Sequence, residues 1–292
     1  MMNKILSLIV VSYKNINVLR NCLNSICKYN DIGDALEVIV SDNSPDSLLY
    51  DVIREEYPWV KILKNENRGF GAGNNRGFEI SSGQFLLFLN PDTILVEPIF
   101  KFAIEKFCQD PKLSLFGLQL VDGNRKKNYS YGLLWGAGIS AAVFHKFCHS
   151  FGIYIDGKMF ISGADLFVRR ESFIECGGFD ENIFMYREES DLILRIKNKS
   201  QANKTRFFKK KKLIHLEGGT QSLSVDSLVQ VELRSIEADR YYCEKYGLNF
   251  IKLIKQKVRK CKLKIFFSFL LKKKDSAELQ KQLLGIYRAT LQ

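Results

Sequence analysis

Phe85-Leu86-Leu87-Phe88-Leu89-Asn90-Pro91-Asp92-Thr93 is an apolar run cut short by a polar turn. A run this short, bounded by a turn signal, reads as a strand buried on both faces. Pro91 cannot donate to a strand ladder, so the strand stops before it. Asp92 then lies on a loop at the strand's carboxyl end, where open α/β sheets bind their ligands. A carboxylate there is suited to hold a divalent cation, and the cation to hold a diphosphate. Asn90-Pro91-Asp92 is also an ordinary turn composition. The stretch alone fits both readings, and the rest of the chain decides between them.

Working outward, Ile5 to Val11 reads as a first strand, and Ile16, Leu19, Leu23 and Ile26 recur at helical spacing after it. Strands are expected at Leu36 to Val40 and near Val60 to Leu63, with a short helix between. A glycine-rich loop, Asn67 to Gly77, then leads into a helix before the strand that ends at Asn90. Strands alternating with helices over this length imply a parallel sheet with helices on both faces. Further on, a helix is expected near Ile99 to Phe107, strands at Leu113 to Leu120, Ser162 to Val168 and Lys212 to Leu216, and a helix at Glu189 to Lys197. From about Ser222 the pattern is helical. The Gly-, Tyr- and Lys-containing stretch after Leu120 gives no clear period.

The 292 residues carry 46% hydrophobic and 26% charged side chains, ordinary for a globular protein with a large core. Seven scattered cysteines, none in a C-x-x-C pair, argue against a disulfide framework or a zinc site and fit a reduced cytoplasmic setting. The N-terminal apolar run has no small-residue cleavage site after it and reads as a strand, not a leader. No run approaches the roughly 18 apolar residues of a spanning helix. The net charge of +12 is concentrated between Leu248 and Lys274, where ten basic residues stand without an acidic one. Ile251, Ile254, Val258, Cys261 and Ile265 recur there at helical spacing. A basic amphipathic helix of this kind reads as a contact for an anionic membrane surface, or as a helix packed on the domain with a solvated lysine face. No nucleic-acid module accompanies the charge, so nucleic acid is not an expected partner.

Five groups can carry chemistry. Ser12 and Tyr13 end the first strand, where a hydroxyl and a ring can line a nucleotide base or simply begin a loop. Asp42 ends the second, in an Asp42-Asn43-Ser44 stretch that suits an Asx turn or helix cap, and Asn43 and Ser44 serve that cap well enough to leave Asp42 free to accept from a base or a ribose hydroxyl. The glycine-rich loop follows the third strand, and Asn74 stands where a dinucleotide fingerprint has its last glycine, which excludes an oxidoreductase of that type. Its glycines allow close backbone approach to a ligand or to another element, and Arg68 can bond phosphate. Glu188, Glu189 and Asp191 cluster at a helix start, where acids also complement the helix dipole. Asp191 stands four residues before Arg195, at ion-pair spacing. Glu188 and Glu189 are about 100° apart on the helix, so one of the two can serve as a general base facing a pocket. His215 ends an apolar strand ahead of Glu217-Gly218-Gly219-Thr220 and can reach a metal as neutral imidazole.

In this order, the five groups resemble the inverting nucleotide-sugar glycosyltransferases of family 2, with the GT-A fold, and among them the bacterial rhamnosyltransferase-like subset. The resemblance runs from about Ile5 to Gly247. Val10-Val11-Ser12-Tyr13 and Asp42-Asn43-Ser44 are similar to nucleotide-binding segments, and Asn67 to Gly77 to the glycine-rich signature. Asn90-Pro91-Asp92 stands at the D-x-D metal motif with Asn90 in place of the first acid. Gly177 to Leu192 resembles the segment ending in E-D-x-D-L, with Glu189 in place of the usual Asp.

The resemblance implies an α/β, Rossmann-like GT-A domain over residues 1–247, a mostly parallel sheet flanked by helices, and a basic helical extension over 248–292. It implies a metal-dependent hexosyltransferase. Ser12, Tyr13, Asp42, Arg68, Gly69, Asn74 and Asn90 would bind the nucleotide sugar. Asp92 and His215 would hold Mg²⁺ or Mn²⁺, and Glu189, with Asp191 as the alternative, would be the base. The donor would be a dTDP- or UDP-sugar, with rhamnose the first choice. The acceptor would be a glycan or polyprenyl-linked oligosaccharide, in surface-polysaccharide or O-antigen synthesis. The enzyme would be cytoplasmic and peripheral on the inner face of the membrane, bound through 248–274. A non-catalytic nucleotide-sugar or membrane-binding scaffold is the alternative, and a nucleotidyltransferase is disfavoured by the loop's position after strand three.

Overall fold

The computed structural model describes residues 4–216, 224–270 and 274–292. The chain divides into two compact units. The first comprises Met1–Gly132, Tyr154–Phe184 and Glu188–Thr220, and the second Leu133–Ile153, Met185–Arg187 and Gln221–Gln292.

In the first unit the expected alternation holds through four strands: β1 Leu6–Ser12, α1 Ile16–Lys28, β2 Leu36–Asp42, α2 Leu48–Glu56, β3 Val60–Lys64, α3 Phe70–Glu79 and β4 Phe85–Leu89. Asn15 caps α1 by accepting the Val18 N–H, and Leu19, Cys22, Leu23 and Ile26 are the buried face that the spacing indicates. The five side chains of β4 are all within 1% of complete burial. Each stabilises the fold by about 1.5–3 kcal/mol. A short β5, Thr93–Leu95, follows Asp92 and leads to α4, Phe100–Gln109, and β6, Leu113–Val121. Then come β7 Tyr131–Leu133, α5 Ile139–Phe151, β8 Met159–Ile161, β9 Asp165–Arg169, α6 Arg170–Glu175, α7 Glu188–Lys199 and β10 Lys204–His215.

The main sheet runs β3-β2-β1-β4-β9-β6-β10-β5, and β7 and β8 form a separate pair. β1 is parallel to β2 and β4, β2 to β3, and β6 to β10. β9 is antiparallel to both its neighbours, and β5 is antiparallel to β10. The uniform parallel alternation therefore breaks at two strands. Each of them follows a tight turn at the carboxyl edge of the sheet, which sends the chain back without a crossover helix. Ser12, Asp42, Asn90 and His215 all come at that edge, because β1, β2, β4 and β10 run in one direction. On one face of the sheet the core is an apolar cluster that runs from Leu6 to Leu213, and Ile9, Ile39, Leu86 and Phe88 are buried on the other.

At the opposite edge a buried acid ties three segments together. Glu37 accepts from Ser7 Oγ at 2.5 Å, from the Ser82 hydroxyl and from Gly83 N–H, each at 3.0 Å for Ser82 and Gly83, and from Lys61 Nζ at 2.7 Å. Burial alone would raise this carboxyl. The Lys61 ammonium and the Ser7 and Ser82 donors outweigh it and bring it down to about 2.

The second unit holds α5 with α8 Val225–Lys245, α9 Phe250–Leu270 and α10 Lys274–Ala289. The boundary expected at 247/248 falls in the turn between α8 and α9. Ile254 and Cys261 of α9 pack with Ile236 of α8 and Tyr287 of α10, and Val258 lies against them. The apolar seam read as a membrane face is thus, at these positions, the inside of a helical core. Ile251 remains 44% exposed. Lys257 is enclosed by Glu232 at 2.8 Å and Asp239 at 2.7 Å, and Asp239 also holds Arg187 at 2.7 Å. Among the described residues no helix is long and apolar enough to cross a membrane.

Candidate active site

Parallel pairing of β1 with β2 makes Ser12 and Asp42 register partners at the carboxyl edge. Both are buried, at 1% and 0% exposure, and Ser12 Oγ and Asp42 Oδ2 have no hydrogen-bond partner. Two buried polar atoms without a hydrogen bond, on register-paired residues at a sheet's ligand edge, suit a ligand that supplies donors. The expectation that Asp42 is spared by its neighbours needs correction. Its Oδ1 accepts the Ser44 N–H at 2.8 Å, so Asp42 itself closes the Asx turn, and only Oδ2 remains, 3.6 Å from Lys64 Nζ. Tyr13, next in the chain, is half exposed with the Lys14 amine over its ring.

The glycines of the loop and α3 serve packing. A Cβ on Gly69, whose φ is +105°, would lie 2.1 Å from the Phe184 carbonyl oxygen. One on Gly73 would lie 2.9 Å from Val11, and one on Gly77 2.5 Å from Ile9. They let α3 lie directly on β1 and let Phe70 N–H reach Phe184 O at 3.0 Å. Asn74 is fully buried, with Nδ2 on the Phe70 carbonyl at 3.1 Å. Gly69 is buried against the Phe184 backbone, while Asn74 Oδ1 is buried with no hydrogen-bond partner, as Ser12 Oγ and Asp42 Oδ2 are. Arg68 extends toward solvent with Nη1 3.5 Å from Glu181 Oε2. Asn75, which sequence reasoning passed over, is the clip. It accepts the Phe179 N–H at 2.9 Å and donates to Phe179 O and Glu181.

Asp92 and His215 converge. Antiparallel pairing of β5 with β10 sets His215 opposite Thr93. His215 Nε2 then lies 3.3 Å from Asp92 Oδ1 and 3.4 Å from Asn90 Nδ2, and Leu216 N–H donates to Asp92 O at 3.1 Å. Both side chains are mostly covered, His215 at 14% and Asp92 at 12% exposure. An oxygen and an imidazole nitrogen brought this close are a donor set a hard or borderline divalent cation accepts. Among the described residues no group of three or more His, Cys, Asp or Glu could hold a metal. The remaining ligands would have to come from elsewhere, as is usual for Mg²⁺ bound with phosphates. Glu217–Thr220, the stretch after His215, lies outside the described residues.

The acids of α7 separate by environment. Asp191 is fully buried and bonded to Arg195, whose Nε is 2.7 Å from Asp191 Oδ2 and whose Nη1 reaches the Cys176 and Gly178 carbonyls at 2.6 Å. Asp191 therefore fixes the 176–178 turn, and the geometry removes it as an alternative base. Glu188 is also buried, and that burial, reinforced by Glu189, pushes its carboxyl well above the usual range. Glu189 is only partly buried, and its Oε1 accepts the Gly163 N–H at 2.9 Å. Gly163 has room for nothing more, since a Cβ would lie 2.6 Å from that oxygen.

Ser162-Gly163-Ala164 joins the two halves. Ala164 O accepts from Asn90 N–H and from Thr93 Oγ1, both at 3.2 Å, while the Gly163 N–H donates to Glu189. One turn thus holds Asn90 and Thr93, which flank Asp92, and the acid Glu189 of α7. Nothing in its sequence marks it beyond the glycine.

Solved structures with this sheet arrangement are GT-A glycosyltransferases. One is a mannosyltransferase of Pyrobaculum calidifontis solved with GDP-Man and Mn²⁺, at TM-score 0.58 and 14% identity, over 84% of this chain and 65% of that one. Another is GalNAc-T7 with UDP, GalNAc and Mn²⁺, at TM-score 0.57 and 15% identity, over 76% of this chain and 45% of that one. At these identities the likeness is one of fold. The model of Glycosyl transferase family 2 matches residues 7–177, more than half of the chain, and the chain belongs to that family. It is 26% identical over 209 residues to the rhamnosyltransferase WbbL of Escherichia coli K12, covering 65% of this chain and 75% of that protein. It is 23% identical over 205 residues to the O-antigen biosynthesis protein RfbC of Myxococcus xanthus, covering 64% of this chain and 16% of that protein. The matched range includes Ser12 to Asp92 and ends before α7 and His215, whose assignment therefore rests on geometry.

Proposed function

We propose that the chain moves a sugar from a nucleoside-diphosphate donor to a hydroxyl of a surface polysaccharide or lipid-linked oligosaccharide, with inversion at the anomeric carbon. The observation that carries this reading is the Ser162–Ala164 turn, which holds Asn90 and Thr93, the residues on either side of Pro91-Asp92, and also holds Glu189. A single displacement needs that layout, with leaving-group stabilisation on one side of the sugar and a proton acceptor on the other. Family membership supports the reaction class, and the likeness to WbbL and RfbC supports rhamnose and O-antigen-type glycans as the first substrates to test.

In this reading the Ser12 hydroxyl accepts or donates, and Asp42 Oδ2 accepts, toward the base and ribose. Tyr13 offers its half-exposed ring to the base. Asp92 and His215 would hold Mg²⁺ or Mn²⁺, a group that supplies Lewis-acid stabilisation of the departing diphosphate. Asn90 Nδ2 lies 3.4 Å from His215 Nε2, beside the two groups. Arg68 adds a solvent-side cation for phosphate. Glu189 takes the proton of the acceptor hydroxyl as that oxygen attacks, and the Gly163 N–H fixes the carboxylate's direction. The basic charge of 248–274 supports work at the inner face of a membrane, where a lipid-linked acceptor would lie.

The test is a thermal-shift screen of UDP-, dTDP- and GDP-sugars with and without Mn²⁺. Stabilisation by one nucleotide class that depends on Mn²⁺ is expected. No response to any of them, with the protein folded, would overturn the reading.

A further inference from the structure

The apolar surface left open in the second unit lies on α5 and on one side of α9. Ile139, Val143, Phe147 and Phe151 repeat every four residues along α5, and they are 46, 64, 54 and 65% exposed. A ridge of this size is seldom left to water. Beside it, Ile139 and Val143 with Leu263 and Phe267 of α9 line a groove of about 440 Å³, within the range of lipid- and drug-sized sites.

The charged side chains that line that groove are all cationic, beside the neutral Ser268 and Gln280. Lys146 comes from α5, and Lys260 and Lys264 from successive turns of α9. Residues 133–153 and 248–274 contain no acid. Burial, and then the neighbouring Lys264 and Lys257, lower the Lys260 ammonium from its ordinary value. Lys257 already has Glu232 and Asp239. Lys260 and Lys264 have no ion pair among the described residues. Two such cations at the mouth of an apolar groove complement one anionic group carrying hydrocarbon.

We infer that this groove seats an anionic phospholipid of the bilayer. Its phosphate lies between Lys260 and Lys264, its acyl chains lie along Val143, Phe147 and Phe267, and Lys146 borders the headgroup. This rests on the membrane association proposed above and names the residues that carry it. It also moves the contact from the α9 seam, which is spent on α8 and α10, to a face that α5 completes.

The test is co-sedimentation of the full chain with phosphatidylcholine vesicles and with mixed phosphatidylcholine–phosphatidylglycerol vesicles, at low and raised salt. Wild type is expected on the mixed vesicles only, less so in salt. Lys260→Gln/Lys264→Gln should weaken binding roughly 30-fold, and the exposed Lys264→Gln alone about fivefold. Val143→Ser/Phe267→Ser should weaken it about tenfold at unchanged net charge. The control, Lys255→Gln/Lys262→Gln, removes two charges lying more than about 130° around α9 from the pair, and should cost at most a few-fold.

Equal losses in the control and the groove double would mean diffuse charge attraction. That would overturn the site and leave the membrane reading standing. Wild type that binds no anionic vesicle would overturn both. Vesicle binding untouched by Val143→Ser/Phe267→Ser, with a dimer lost instead, would assign the face to a second copy of the chain.

Discussion

Glu189 Oε1 accepts the Gly163 N–H at 2.9 Å, one residue from the carbonyl that anchors Asn90 and Thr93. The base candidate is thus held by the same turn that holds the two residues flanking Asp92. Glu189→Gln keeps an acceptor for Gly163 and loses only basicity. Turnover should fall by about 10²–10⁴ with the melting temperature nearly unchanged. Steady-state rates and thermal melts on the same preparation check this. Wild-type turnover would remove Glu189 from the reaction.

Asp191 should behave oppositely. Asp191→Ala strands the Arg195 guanidinium, which is 19% exposed, and releases the 176–178 turn. A loss of about 3–5 kcal/mol is expected, read by denaturant unfolding. Activity should track the folded fraction. Full stability with abolished activity would return Asp191 to the candidates for the base.

Gly69 and Gly33 both have positive φ, +105° and +54°, but only Gly69 has a neighbour where a side chain would go. Gly33→Ala should cost about 1 kcal/mol, the left-handed backbone term alone. Gly69→Ala should cost more than about 2 kcal/mol, because the Phe184 carbonyl must also move. Equal losses in chemical denaturation would mean that the close approach is unimportant.

The buried Glu37 gives a pH dependence with a definite sign. Its folded value of about 2 lies below its ordinary 4.5. The stabilisation is therefore present above pH 4.5 and is lost as pH falls from there toward 2. It amounts to on the order of 2–3 kcal/mol. Glu37→Gln should be less stable at neutral pH and should lose less stability on acidification. Parallel pH–stability curves for the two proteins would contradict this.

Local pattern made much of the fold legible. β4 announces itself by a short apolar run ended by Pro91, α1 by its period and its Asn15 cap, and α7 by acids at its start. β5 and β9 were not legible as antiparallel, because direction is set by the turns at 90–92 and 162–164 and not by strand composition. α5 escaped because its apolar residues face water as well as the interior, which erases the amphipathic period. The same confusion ran the other way in α9, whose amphipathic seam is core.

At the site, Asp92 and His215 were legible as residue types at strand ends. Their 3.3 Å approach comes from pairing β10 with β5, some 120 positions apart in the chain. Asp42 shows the limit of local reasoning. Its Asx turn and its ligand-edge position are both real, one on each carboxylate oxygen. The glycine-rich signature was the most specific stretch in the sequence, yet its glycines act by letting α3 rest on β1 and on the Phe184 backbone.

The most direct measurement compares Asp92→Asn with Glu189→Gln for Mn²⁺-dependent donor binding and for turnover, using the nucleotide sugar that stabilises the wild type. Glu189→Gln should bind the donor with wild-type Mn²⁺ dependence and turn over slowly. Asp92→Asn should lose the Mn²⁺ dependence of binding and turnover together. Unaltered Mn²⁺-dependent binding in Asp92→Asn would contradict the account.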